Sequence, residues 1–418
     1  MPDSQEFTVL FLVFFTLTLA VRLWLKIRHI RHIGAHRSAV PADFAASIAL
    51  VDHQKAADYT IDRVKSVIFA IVSEGVVLLA FTLGGGLAAL HGFWAPRLDG
   101  LTYGLAMIFS VMGISGLIDL PLSLYRQFVI EARHGFNRMT LGLFFSDLVK
   151  QTLLGIAIGA PVILAVLWLM GAMGSLWWLY VWLFWSAFNL LVMFVYPTWI
   201  APLFNKFSPL EDGEMKRCIE ALLTRCGFRS SGLFVMDGSK RSSHGNAYFT
   251  GFGNNKRIVF FDTLLNRLAP PEIEAVLAHE LGHFRRHHVL KHIALMFAGS
   301  LALLWLLGQL IDAPWFYAGL GVPAQNTALA LILFFLVIPV FTFLFTPLTS
   351  YLSRRNEFEA DAYAAEHASA SDLIRALVKL YQDNASTLTP DPLHSLFHDS
   401  HPPAAQRIAR LQQLETPA

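Results

Sequence analysis

The chain has 418 residues, of which 55% are hydrophobic and 15% are charged. This composition excludes an ordinary soluble protein and predicts a multi-pass protein of the lipid bilayer. The formal net charge of +2 is too small to suggest a nucleic-acid partner. Cys218 and Cys226 have a spacing that suits neither a disulfide scaffold nor a zinc site, so we expect two reduced thiols.

Seven apolar segments are long enough to cross the hydrocarbon core of a membrane. We predict spans at about residues 7–25, 65–90, 101–124, 150–170, 177–200, 289–311 and 327–348. Lys and Arg concentrate in the connections after the first, third, fifth and seventh spans. The positive-inside rule therefore predicts that these connections are cytoplasmic, in a bacterial inner membrane or the endoplasmic reticulum.

Four polar residues fall inside the predicted spans: Glu74, Asp119, Asn189 and Gln309. Ionisable groups in hydrocarbon normally face a bundle interior or a water-filled cavity, so Glu74 and Asp119 indicate an internal hydrated space. The alternative is that these two carboxylates snorkel or pair with one another. His29, between arginines just after the first span, is expected to contact lipid headgroups rather than a metal.

The sequence from Pro270 onward predicts an amphipathic helix. Proline pre-sets the dihedral angle of a first turn, and Glu272 suits the positive end of the helix dipole. Apolar residues then recur at helical spacing, at Ile273, Val276, Leu277, Leu281 and Phe284. These residues predict one face of the helix that packs into protein.

The other face of this helix carries the motif His279-Glu280-Leu281-Gly282-His283. His279 and His283 lie one turn apart, so one zinc ion can bind a nitrogen from each. Glu280 is too far round the helix to be a good third ligand, but it can act as general base on a water molecule at the metal. The motif therefore predicts a zinc protease with one zinc ion per chain.

A second predicted helix, around residues 353–364, supplies the third ligand. Glu357 and Asp361 lie four residues apart and share a face. Glu357 can complete a site of two histidines and one glutamate that keeps an open fourth position. Asp361, one turn on, suits the outer N–H of a ligand histidine. Glu359 lies on another face and is the weaker candidate for a ligand.

The segment before the His-Glu-x-x-His helix predicts a small sheet. Residues 211–226 have a helical pattern, 233–236 a strand pattern, and 246–251 with 257–261 that of a hairpin closed by Gly253-Asn254-Asn255. Zinc proteases hold peptides extended against a strand edge. We predict that this edge is the run Asn246-Ala247-Tyr248.

Several runs of the sequence carry a family resemblance. They are residues 279–283, 353–361, 243–248, 400–403, 59–63, 131–137 and 196–207. Together they resemble the type I integral-membrane zinc CAAX prenyl proteases over nearly the whole chain. The resemblance implies a mainly α-helical fold, in which seven membrane helices enclose a large chamber capped by a gluzincin-like zinc protease domain with a small β-hairpin or sheet. It predicts four parts: 1–200 and 291–350 in the membrane, and 201–290 and 351–418 as the two halves of the protease domain.

The resemblance also implies roles for individual residues. Asn246 contacts the substrate backbone, and His401 with Arg407 stabilises the oxyanion or orients the cleaved peptide, a role that requires fixed donors. The implied reaction removes the C-terminal tripeptide of prenylated CAAX substrates. Nothing in these residues recognises an isoprenoid.

Two other functions remain open on the sequence alone. One is a membrane quality-control protease that cleaves peptides or proteins without a prenyl group. The other is a transporter-like protein with a structural zinc ion, although structural sites are normally closed by four protein ligands. His394, His398 and His401 lie close together and are a second candidate metal site. We do not expect a metal there, because Pro392, Pro402 and Pro403 break the helical spacing and no cysteine or second carboxylate cluster joins the histidines.

Overall fold

A computed structural model describes residues 3–250 and 257–415 of the chain. Within these residues, seven helices are long and apolar enough to cross a membrane. The predicted multi-pass membrane protein is confirmed, and so is the mainly helical fold class with a small sheet.

The first half of the chain is a set of long helices. They are α1 (Ser4–His36), α2 (Leu50–Phe81), α3 (Gly86–Trp94), α4 (Gly100–Tyr125), α5 (Leu141–Ala172) and α6 (Trp177–Val195). Two of them, α4 and α6, continue as π-helical segments, Arg126–Glu131 and Tyr196–Ile200. Several helices extend beyond the predicted spans. The flanking segments contain lysine and arginine, whose helix propensity is about as high as that of leucine, so the helix continues past the apolar residues.

The second predicted span, residues 65–90, is wrong at its C-terminal bound, whereas its start lies inside a helix. Helix α2 begins at Leu50 and ends at Phe81. The glycines that follow break the helix, since Gly85 has a φ of 79°, a conformation that residues with a β-carbon rarely adopt. Residues 86–90 therefore belong to α3, which is too short to span the bilayer.

The second half of the chain contains the sheet and the remaining described helices. Its helices are α7 (Glu214–Arg225), α8 (Asp262–Leu265), α9 (Pro270–Arg285), α10 (His288–Leu310), α11 (Pro314–Ala318), α12 (Thr327–Thr342), α13 (Thr346–His367), α14 (Ala370–Asp383), α15 (Pro392–His398) and α16 (Ala404–Glu415). Its strands are β1 (Phe207–Pro209), β2 (Leu233–Met236), β3 (Ala247–Thr250) and β4 (Arg257–Phe261).

The described strands form one sheet in the order β1-β2-β4-β3. Strand β2 is parallel to β4, and the other pairs are antiparallel. The predicted strands are confirmed, and β3 lies at an edge as predicted. The turn predicted at residues 253–255 lies outside the described residues.

Helix α9 lies in the core of the second half. Three residues of its predicted apolar face are buried, namely Ile273, Leu277 and Leu281, and the other two are half-buried. Ile273 and Leu277 pack in one cluster with Phe260 of β4 and Leu373 of α14. Burial of a large apolar side chain stabilises a fold by about 1.5–3 kcal/mol. This packing fixes the rotation of α9 about its own axis. The face that carries the two histidines therefore has a defined orientation relative to the sheet and to α14.

The last membrane helix runs almost directly into the second half. A short 3₁₀ segment, Phe343–Phe345, joins α12 to α13. Glu357 therefore lies on a near-continuation of the seventh span.

A cavity of about 680 Å³ lies between α1, α2, α4 and α12. Glu74 and Asp119 both line it, as expected for ionisable groups in membrane helices. Glu74 forms an ion pair of 3.0 Å with Arg22 of α1, whereas Asp119 accepts a hydrogen bond from Ser123. The two carboxylates therefore do not pair with each other.

The expectation that His29 contacts lipid headgroups is wrong. Its side chain is buried, and its ring stacks on that of His394 with centroids 3.8 Å apart. Lys26 Nζ lies 2.9 Å from His394 Nε2 on the same side. Helix α15 covers this part of α1, a tertiary contact that the local basic pattern does not reveal.

Candidate active site

Helix α9 begins where the sequence predicts. Pro270 occupies its first turn, and the buried carboxylate of Glu272 accepts a hydrogen bond of 2.8 Å from the Ala269 N–H. Lys379 of α14 also lies 2.7 Å from this carboxylate. This ion pair holds the start of α9 against α14. It therefore fixes the position of the two histidines, which lie two turns and three turns further along α9.

His279, His283 and Glu357 converge from α9 and α13. The two Nε2 atoms are 3.3 Å apart. Nε2 of His279 lies 3.4 Å from Glu357 Oε2, and Nε2 of His283 lies 3.4 Å from Glu357 Oε1. Zinc bonds of about 2.0–2.1 Å to nitrogen and oxygen in a tetrahedron place the ligand atoms about 3.3 Å apart. One ligand atom from each of the three residues lies within 4.8 Å of the other two, so the three side chains can take three corners of a zinc site.

The donor set also has the chemistry of a cation site. Glu357 Oε2 is buried and accepts no hydrogen bond from any described residue, which is costly unless a cation or a solvent molecule serves it. Burial lowers the pKa of His279, but the carboxylates of Asp361 and Glu357 outweigh burial and raise that pKa to about 9. The two carboxylates therefore favour a positive charge at His279, and the residues present fit zinc.

Asp361 makes the contact that the sequence predicts. Its Oδ1 lies 2.8 Å from Nδ1 of His279, so His279 directs Nε2 toward Glu357. Arg407 of α16 lies behind this pair and donates to both oxygens of Asp361 at 2.6 and 2.9 Å. Arg407 is buried, and its charge faces Asp361 rather than open solvent.

Glu280 and His401 border a cavity of about 580 Å³ that reaches His279. Glu280 is half-buried. His401 is 62% exposed, and its Nε2 lies 3.5 Å from Glu357 Oε1. The structure therefore brings together the predicted ligands, the predicted base and the predicted oxyanion donor, whereas Arg407 reaches the cavity from behind Asp361.

The predicted substrate edge is only partly at this cavity. Asn246 and Ala247 line it. The side chain of Tyr248 lies in a separate small cavity with Phe234 and Val259, because alternate residues of a strand face opposite sides. Tyr248 therefore lies outside the cavity at His279.

Comparison with known proteins gives the family. The sequence profile of peptidase family M48 matches residues 209–415, and that of the CAAX prenyl protease N-terminal region with five membrane helices matches residues 29–206. The CAAX prenyl protease 1 homolog of Arabidopsis thaliana is 37% identical over 383 residues, which cover 88% of this chain and 89% of the relative. The chain belongs to the CAAX prenyl protease 1 branch of peptidase family M48.

Two further comparisons agree with this family. CAAX prenyl protease 1 of Saccharomyces cerevisiae is 39% identical over 328 residues, covering 73% of this chain and 71% of the relative. The crystal structure of S. mikatae Ste24p is similar with a TM-score of 0.91 and 31% identity, covering 98% of this chain and 99% of that one. The M48 member described here is accordingly a membrane metalloendopeptidase, of a family of zinc proteases, with peptides or proteins as substrates.

Sequence reasoning did not predict how Arg354 supports the site of this M48 protease. Arg354 of α13 donates to the carbonyls of Ser395 and Asp399, each at 2.9 Å. This contact ties the segment before His401 to the helix that carries Glu357. Arg354 belongs to the run 353–361 that carries the family resemblance, but only the fold shows which carbonyl groups it contacts.

Proposed function

We propose that this M48 protease removes a C-terminal peptide from prenylated CAAX substrates, the substrate class named for its relatives. The observation that carries the proposal is the open cavity at His279, where Glu280 and His401 lie beside the ligand triangle. A structural zinc ion would be enclosed by four protein ligands, whereas a catalytic one keeps an open position for water or substrate.

We propose that His279, His283 and Glu357 hold one zinc ion per chain. When bound, the ion supplies Lewis-acid chemistry that polarises the scissile carbonyl and acidifies water. Glu280 takes the proton of the attacking water and returns it to the leaving amine. The imidazole of His401 donates a hydrogen bond to the oxygen that gains negative charge.

Asp361 and Arg407 have a positioning role in this proposal. Asp361 accepts the Nδ1–H of His279, which keeps the lone pair of Nε2 free for the metal. Arg407 fixes Asp361 through two hydrogen bonds. In this scheme Arg407 acts through Asp361 rather than on the oxyanion.

Strand β3 provides the edge on which we propose that the substrate lies. The Phe261 N–H donates to the Asn246 carbonyl at 2.9 Å. Because hydrogen-bonded pairs alternate along an antiparallel ladder, the backbone of Ala247 faces the free edge. An extended peptide can pair with Ala247 and pass the cavity at His279, with the Asn246 side chain beside it.

The proposed organisation keeps the four predicted parts. Residues 1–200 and 291–350 form the membrane region, and 201–290 with 351–418 form the protease domain. We propose that this domain lies on the cytoplasmic side, because lysine and arginine concentrate in the connections on its side of the bundle.

The test is cleavage of a farnesylated CAAX peptide by the purified protein, beside the same peptide without the farnesyl group. We expect cleavage of the farnesylated peptide, its loss in Glu280→Gln, and much weaker cleavage of the unmodified peptide. Equal cleavage of both peptides would instead favour a general membrane quality-control peptidase.

A further inference from the structure

The second histidine of the motif has its own supporting residues. Nδ1 of His283 lies 3.0 Å from Nδ1 of His288. Nε2 of His288 lies 3.1 Å from Oε2 of Glu359 on α13. His283, His288 and Glu359 therefore form a chain of hydrogen bonds that leads away from the ligand triangle.

The hydrogen bonds of this chain fix one set of tautomers. Nε2 of His283 points toward Glu357. A metal ion bound to this Nε2 leaves the proton of the neutral ring on Nδ1. Nδ1 of His288 must then accept this proton in a hydrogen bond, and Nε2–H of His288 must donate to Glu359. Each nitrogen or oxygen in these hydrogen bonds is therefore either a donor or an acceptor, and no two assignments conflict.

The backbone is shaped to make this contact. Helix α9 ends at Arg285, and α10 begins at His288. Between them His287 has a φ of 58°, a left-handed conformation that costs free energy for a residue with a β-carbon. This turn brings His288 back against His283, and His288 is only 4% exposed.

Glu359 is held from its other side. Arg355, one turn earlier on α13, donates to Glu359 Oε1 at 3.3 Å. Helix α13 thus supports both histidines of the motif, through Asp361 for His279 and through Glu359 for His283. The two supports differ, because His279 contacts a carboxylate directly whereas His283 contacts it through a second imidazole.

We propose that His288 and Glu359 are positioning residues that fix the tautomer and orientation of His283 as a zinc ligand. The proposal rests on the zinc site proposed above, not on the identity of the substrate. Partners of this kind typically change metal affinity or activity by about 10- to 100-fold when they are removed. This chain of hydrogen bonds from His283 through His288 to Glu359, called the relay below, gives Glu359 a function. Glu359 lies on the wrong face of α13 to be a zinc ligand itself.

The experiment measures zinc affinity directly, by chelator competition on the purified full-length protein without any peptide. We expect His288→Phe and Glu359→Ala to lower zinc affinity by about 10- to 100-fold. Glu359→Gln retains an acceptor oxygen and should lose much less. The matched control is His292→Phe, an exposed histidine of the same helix, which should leave the affinity unchanged.

Two further measurements separate positioning from folding. The melting temperature of the metal-free protein should change little in Glu359→Ala, and the visible spectrum of the Co²⁺-loaded protein should change in both disruptive variants. If His288→Phe does not fold, the comparison of zinc affinity between Glu359→Ala and Glu359→Gln tests the proposal instead. A zinc affinity in Glu359→Ala within twofold of the wild type would overturn the relay, and wild-type protein that binds no zinc would overturn both this proposal and the proposed function.

Discussion

Gly282 of α9 lies against the backbone of Ala360 of α13. A β-carbon at position 282 would be 2.9 Å from the Ala360 Cα and 3.1 Å from its carbonyl oxygen. Real β-carbons do not approach backbone atoms this closely, so the glycine of the motif is what allows the two ligand-bearing helices to meet. The distance between His279 and Glu357 depends on this contact.

Gly282→Ala should therefore separate α9 from α13. We expect a loss of about 1–3 kcal/mol in the free energy of unfolding, as for other overpacked cores, together with weaker zinc binding. The measurements are thermal unfolding and zinc content. Gly299→Ala is the control, because a β-carbon at position 299 meets no atom within 4 Å; equal effects of the two substitutions would contradict the role of this contact.

Glu280→Gln should abolish most of the turnover while leaving the metal in place. An amide cannot accept the proton of the attacking water, and loss of a general base typically costs about 10²- to 10⁴-fold in rate. We expect kcat to fall and zinc content to stay the same. Glu274→Gln, on the same helix beside Arg225, is the matched control. Loss of zinc from Glu280→Gln would show that Glu280 is a ligand instead.

Asp361→Asn should weaken zinc binding by about 10- to 100-fold. It should also destabilise the protein, because Arg407 is buried and would lose its charged partner, a change that typically costs about 3–5 kcal/mol. Chelator competition and thermal unfolding check the two effects. Asp372→Asn, which removes an ion pair with the exposed Arg375, should change neither. Unaltered zinc affinity in Asp361→Asn would refute the support of His279.

His401→Gln should lower kcat by about 10²- to 10³-fold with little change in KM, as loss of an oxyanion donor does elsewhere. The side chain is 62% exposed, so stability should not change. Steady-state kinetics with the cleaved peptide separates the two constants. A rise in KM with unchanged kcat would place His401 in substrate binding rather than at the oxyanion.

The region of α15 should lose stability in acid. Burial lowers the pKa of His398 from its ordinary value of 6.5 to about 4, and burial, then the charge of Lys26, lower that of His394 to about 2. The folded protein keeps both rings neutral, while the unfolded chain takes up protons below about pH 6.5. Stability should therefore fall as the pH drops from about 6.5 to 4.

Melting temperatures between pH 7.5 and 4.5 test this expectation. His398→Gln should reduce the loss of stability on acidification, whereas His292→Gln, at an exposed position, should not. The same pH dependence in His398→Gln and the wild type would mean that His398 titrates normally in the folded protein.

The sequence by itself determined the features that follow from local pattern. Hydrophobic runs gave the seven spans, and the i, i+4 spacing of His279 and His283 set two imidazoles on one helix face, because a helix has a fixed period. The same period paired Glu357 with Asp361 on α13. The strand pattern of residues 233–236 and 257–261 identified two strands of the sheet.

Only the tertiary structure decided which distant residues meet. Arg407 lies 46 positions from its partner Asp361, and Glu359 lies 71 positions from His288, so no local periodicity relates them. The same holds for Gly282, whose need for a bare α-carbon comes from a helix that packs against it, and for Tyr248, whose side chain faces away from the cavity. Such contacts depend on how whole helices and strands pack, and packing is set by the fold as a unit rather than by any one segment.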